Sequence, residues 1–129
     1  PDVAIALDVT HSTDRPGAAA AEVGDHGCGS GAAILRGSVA NEALTALLIE
    51  TAEREGLKYT IEAAGGRSGT DADALVVTGT GTAGGCVSIP CRYMHSPVEV
   101  VSLSDLETTA RLLAATIGAI GPETDFVPR

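Results

Sequence analysis

Two residues in this chain have the type and setting to bind a divalent transition metal. Asp8 closes the apolar run "VAIALDV" and His95 closes "VSIPCRYMH". Open parallel sheets gather ligands at the carboxyl ends of their strands. One carboxylate and one imidazole from two strand ends form a donor set that zinc and its neighbours accept. Pro97 follows His95 closely and would fix the chain just past the ring. His11, in "DVTHSTD", is a rival ligand, a group supporting a ligand from behind, or a plain loop residue. His26, between Asp25 and Gly27, reads as a solvated loop histidine. Residue types alone also allow a bland reading, in which Asp8 caps a turn and His95 bonds a backbone carbonyl.

Weaker candidates surround this pair. Thr70 and Asp71 in "SGTDA" stand at an expected helix start, near a substrate or simply capping the helix. Arg92 could dock a peptide carboxylate or pair with one of the many surface acids. "GTGTAG" (79–84) spells a dinucleotide fingerprint, but that motif needs a strand before it and a helix after it. Here the order is reversed, so it reads as a turn. "GCGSGAA" lacks the Lys-Ser/Thr of a phosphate-binding loop. Cys86 and Cys91 stand five positions apart on one expected strand, hence on opposite faces, and with Cys28 they read as free thiols.

The elements that must position these groups alternate strand and helix. "VAIALDV" (3–9) reads as a strand covered on both faces, followed by a long Gly-, Ala- and Asp-rich loop. A short strand is expected at "AAILRG". An amphipathic helix should follow in "SVANEALTALLIETAEREG", capped by Asn41 or Ser38, stopped by Gly56, and burying Leu44, Leu47, Leu48 and Thr51. "LKYTIEAA" alternates as a half-covered strand. "GGRSGTDADALVV" turns into a short helix, "GGCVSIPCRYMH" returns as a strand, and "PVEVVS" is a further strand candidate. In "SLSDLETTARLLAATIGAIG", Ser104 and Glu107 have the spacing of a capping box, and Leu106, Ala110, Leu113 and Ile117 form the expected buried stripe. The alternation predicts an α/β class protein, a three-layer α/β/α sandwich with a mainly parallel sheet, in a single domain spanning 1–129.

Composition narrows the function. With 2% aromatic residues and 44% hydrophobic ones, the core must be built from Ala, Val, Leu and Ile. A net charge of -9, from 17 acidic against 8 basic residues, opposes nucleic acid and anionic membranes and suits cations. No apolar run nears the ~20 residues that span a bilayer, and no signal peptide opens the chain, so a cytoplasmic location is expected. The first residues lack an initiator Met and enter a strand almost at once, which reads as a piece of a longer protein.

"AIALDVTHSTDRPG", "GGRSGTDADAL" and "VSIPCRYMHSPVEVVSLSDLE", in this order and spacing, resemble the tetrahedral, or glutamyl-type, metallo-aminopeptidases, some of which carry the names endoglucanase or cellulase. The resemblance covers essentially the whole chain. It implies the C-terminal part of a catalytic domain that uses two adjacent divalent ions, zinc or cobalt, to activate a water against a peptide substrate. It assigns Asp8 and His95 as terminal ligands, one on each metal. The family's further histidine, bridging aspartate and Glu-Glu pair, which includes the general base, find no match here and would lie upstream with the inserted β-domain. The chain alone is therefore expected to bind metal weakly or not at all and to be inert, while the full-length protein would be a homo-oligomer. A different class of reading is a naturally short, non-catalytic α/β domain for binding or assembly. A literal cellulase would need two carboxylates flanking a sugar, and nothing in the sequence pairs Asp8 with a second one.

Overall fold

The computed structural model describes residues 1–127; the last two residues of the tail "PETDFVPR" lie outside the described residues. Nine elements follow in chain order: β1 (Val3–His11), α1 (Ala20–Val23), β2 (Ala32–Gly37), α2 (Glu42–Arg54), β3 (Tyr59–Ala64), α3 (Ala72–Leu75), β4 (Ala83–Arg92), β5 (Val100–Val101) and α4 (Leu103–Ala119). The strands form one sheet in the order β1-β4-β2-β3, with β5 on β4. β1 runs parallel to β4, with Asp8 opposite Ser88 and His11 opposite Cys91. β2 runs parallel to β3. Antiparallel contact is brief, Ala33–Ser88 and Ile34–Val87 between β2 and β4, and Cys91–Val101 and Arg92–Val100 between β4 and β5. The expected mainly parallel α/β sandwich is what forms.

Period-two alternation divides the core. Ala32, Ile34 and Val87 meet Leu44, Leu48 and Ala52 of α2 and Leu112 of α4 on one face. Ala6, Leu35 and Cys86 meet Ala72 of α3 on the other. Each fully buried Leu contributes about 1.5–3 kcal/mol of transfer free energy, so α2, which buries both Leu44 and Leu48, anchors the first layer.

Helix α2 ends as its sequence predicts. Asn41 caps it by accepting from Leu44 N at 3.0 Å. At the other end Gly56 takes φ 62°, its N–H bonding Glu53 O and that of Leu57 bonding Ala52 O. That paired return is the Schellman motif, and its left-handed residue favours glycine. Leu47 of the expected stripe is only partly buried; Thr45 and Ala52 are buried instead.

Helix α4 departs from expectation in phase. Its buried residues are Asp105, Thr109, Leu112 and Thr116, each one position before a member of the expected stripe. Leu106 is 39% exposed and Ile117 61%, and Leu103 ahead of them is 79% exposed. Only Leu113 of that stripe packs partly against the core. The cause is Asp105, whose carboxylate accepts from Gly29 N at 2.7 Å and Gly31 N at 2.9 Å and so pulls a polar face inward. The capping box does not form either. The helix begins at Leu103, so Ser104 is already inside it, and Ser104 Oγ pairs with Ser102 Oγ at 2.8 Å.

Other boundaries shift for identifiable reasons. β1 continues through Thr10 to His11 because the pairing with β4 continues that far. It is not covered on both faces: it sits at the sheet edge, and Leu7 is 58% exposed. β3 is partly exposed on both faces, as befits the opposite edge. The long loop after β1 contains the single turn α1. "GTGTAG" is a turn, with Gly79 and Gly81 at positive φ, that leads into β4. Among the described residues no helix is long and apolar enough to cross a membrane.

Candidate metal centre

Asp8 lies within β1 rather than at its end, and its Oδ1 accepts from the next backbone N–H, Val9, at 2.8 Å. The strand-end residue is His11. Three positions separate the two, so their side chains leave opposite faces of the strand. His95 is likewise past the strand it was expected to close. β4 stops at Arg92 because Tyr93 turns left-handed, with φ 59°, and His95 does so again, with φ 67°. Two non-glycine residues in that region cost about 1–2 kcal/mol each, and such strain is characteristic of functional turns. Glu99 offsets part of this cost, since its Oε1 accepts from His95 N at 2.7 Å and closes the turn.

The turn brings His95 to His11. Their ring centroids lie 6.3 Å apart at an interplanar angle of 75°. His11 is therefore the histidine that shares a neighbourhood with His95. Among the described residues no three or more His, Cys, Asp or Glu side chains come together to hold a metal ion. A catalytic zinc is normally held by three protein ligands. The donors among the described residues do not by themselves make up such a centre.

The M42 glutamyl aminopeptidase family matches residues 1–112, a span that includes Asp8, His11 and His95. The chain belongs to that family. A lysyl aminopeptidase of Pyrococcus furiosus is 32% identical over 99% of this chain and 36% of its own length. A solved aminopeptidase from Desulfurococcus kamchatkensis superposes with a TM-score of 0.85 at 38% identity, over 95% of this chain and 36% of that one. The TET1 peptidase of Pyrococcus horikoshii, which can assemble into a tetrahedron or a large octahedral shell, gives a TM-score of 0.68 at 29% identity, over 89% and 32%. The chain thus spans about a third of the length of these relatives.

The remaining candidates of this M42 chain have structural partners. Arg92 pairs with Asp14, its Nε donating to Oδ1 at 2.9 Å and its Nη2 to Oδ2. The guanidinium and the Ser12 hydroxyl hold the Asp14 carboxyl well below the usual carboxylate range, and Asp14 in turn raises Arg92. Thr70, not Asp71, caps α3: its Oγ1 accepts from Ala72 N at 3.2 Å, while Asp71 makes no side-chain cap bond. Asp73 gathers Ser68 N at 2.9 Å and Gly69 N at 3.1 Å, and the Ser68 bonds lower its carboxyl. His26 is not solvated. It is 1% exposed, and its backbone is paired with Thr13 from both sides.

Glu99 and Glu62 were not among the sequence candidates. Glu99 had a detectable signal, because it follows His95 by four residues across a proline, where a turn must close. Glu62 had none. Its alternation in "LKYTIEAA" places it on a polar face, but only the assembled fold shows it accepting from Thr10 Oγ1 at 2.6 Å. Burial raises the Cys86 thiol, and the charges of Glu62 and Asp8 add to this. The strand registers set Asp8 opposite Ser88 and Glu62 opposite Leu35, both on the Cys86 side of the sheet.

Proposed function

We propose that the M42 protein to which this chain belongs removes N-terminal residues from peptides as a metal-dependent aminopeptidase. The observation that carries the proposal is the family match over residues 1–112, a span that takes in both the Asp8 block and the His95 block. In this reading Asp8 and His95 are ligands to divalent ions, with zinc or cobalt the expected identities. The other ligands and the general base come from polypeptide outside this chain. The incomplete donor set supports that division. So do the apolar stripe that α4 shows to solvent, Leu103, Leu106 and Ile117, and the single-sided pairing of β1. Such features are what a catalytic domain exposes when part of its layers is missing. The chain is then the C-terminal portion of that domain and inert alone, and the whole protein is a cytoplasmic homo-oligomer like its shell-forming relative.

The test is hydrolysis of aminoacyl-p-nitroanilides by the whole protein, with added Zn²⁺ or Co²⁺, beside the 129-residue chain under the same conditions. Metal-stimulated turnover by the whole protein and none by the chain is the expected result. A whole protein that stays inactive with either metal across a panel of side chains would favour a non-catalytic binding or assembly domain.

A further inference from the structure

The three cysteines are free thiols, and the fold sorts them unevenly. Cys86 lies on the α3 face of the sheet, its Sγ 3.7 Å from Ser88 Oγ and its side chain wholly buried. Cys91 lies on the opposite face, at the end of β4. Cys28, on the glycine loop before β2, is only partly buried and reaches that same strand end. Its Sγ is 3.9 Å from Pro90 O, the carbonyl directly preceding Cys91, and 3.9 Å from Val100 O on β5. It is also 3.8 Å from Ser12 Oγ, and Ser12 N bonds Cys91 O at 2.9 Å. Ser12 Oγ and the carbonyl oxygens of Pro90 and Val100 thus surround the Cys28 thiol, at the strand end that carries Cys91.

We propose that Cys28 and Cys91 are a disulfide-forming pair that takes up oxidising equivalents from a low-molecular-weight disulfide such as oxidised glutathione. The half-exposed Cys28 thiolate attacks one sulfur of the reagent and expels one glutathione thiolate, leaving a mixed disulfide on Cys28. The Cys91 thiolate then attacks the Cys28 sulfur and expels the second glutathione. Two protein thiols become one disulfide, one reagent disulfide becomes two thiols, and both protons end on glutathione. Cys28 must act first, because the deeply buried Cys91 is closed to the reagent and its thiol is raised by burial and by the nearby Glu99 charge. Cys86, across the sheet, takes no part. The bond would fasten the glycine loop to β4 a few residues before the His95 turn. It is independent of the proposed aminopeptidase activity.

The test exposes the folded protein to oxidised glutathione and reads intact mass and a non-reducing peptide map. The expected product has lost two hydrogens, carries a peptide linking residues 28 and 91, and reverts with dithiothreitol. Cys86→Ser leaves this unchanged, and Cys28→Ser abolishes it. A persistent glutathione adduct on Cys28, a link that uses Cys86, or a disulfide between two chains would each overturn the proposal. The wild-type map decides the matter even if Cys91→Ser fails to fold.

Discussion

Replacing Asp105 by alanine should destabilise the chain more than removing any other carboxylate. The side chain is 1% exposed and accepts two backbone N–H bonds. The Gly31 bond is buried, so its orphaned donor would cost about 1–3 kcal/mol. Gly29 is part-buried and can recruit water, for a loss of about 1 kcal/mol. The expected total is about 2–4 kcal/mol, out of a stability of roughly 5–15 kcal/mol for a domain of this size. Urea unfolding followed by far-UV circular dichroism is the assay. With an m-value of about 2 kcal/mol/M, the midpoint should fall by roughly 1–2 M with little change in slope. Asp105→Asn should fall between, because its amide oxygen replaces one acceptor while its NH₂ confronts the other donor. An Asp105→Ala midpoint within about 0.3 M of wild type would refute the claim that this carboxylate sets the phase of α4.

That phase makes a second, opposed pair of predictions. Thr116 is wholly buried with an unpartnered hydroxyl, so Thr116→Val should be neutral or stabilising by up to about 1 kcal/mol. Ile117→Ser in the isolated chain should cost under about 1 kcal/mol, whereas Leu112→Ala should cost about 2–5 kcal/mol, by the same unfolding assay; equal losses at 112 and 117 would restore the phase read from the sequence. A third prediction concerns acid. The Asp14 carboxyl is depressed in the folded state by Arg92, so its contribution is present above the unfolded carboxylate pKa of about 4 and is lost as pH falls below it. Asp14→Asn should therefore flatten the decline of urea midpoints below about pH 4 and leave the trend above it unchanged.

Local grammar was readable where one residue decides the outcome. Asn41 and Gly56 bound α2 because a cap and a left-handed exit are chemistry of single residues. The phase of α4 was not readable, because amphipathicity records which residues favour burial without identifying what buries them. Leu103, Leu106 and Ile117 keep that preference, yet the two glycine N–H donors held by Asp105 come from a loop distant in sequence. The candidate centre shows the same division. The types of Asp8 and His95 and their flanking motifs could be read along the chain. The strand ends could not, since β1 extends as far as its partner allows and β4 ends where Tyr93 turns left-handed. The approach of His11 to His95 is a product of register and turn together.

The proposed function turns on Asp8 and His95 as metal ligands. The direct measurement is metal content per chain of the whole protein, by elemental mass spectrometry, for wild type, Asp8→Ala and His95→Ala. About two divalent ions are expected in wild type, with metal and aminoacyl-p-nitroanilide hydrolysis lost together in each variant while the fold is retained. Full metal content and activity in both variants would contradict that assignment.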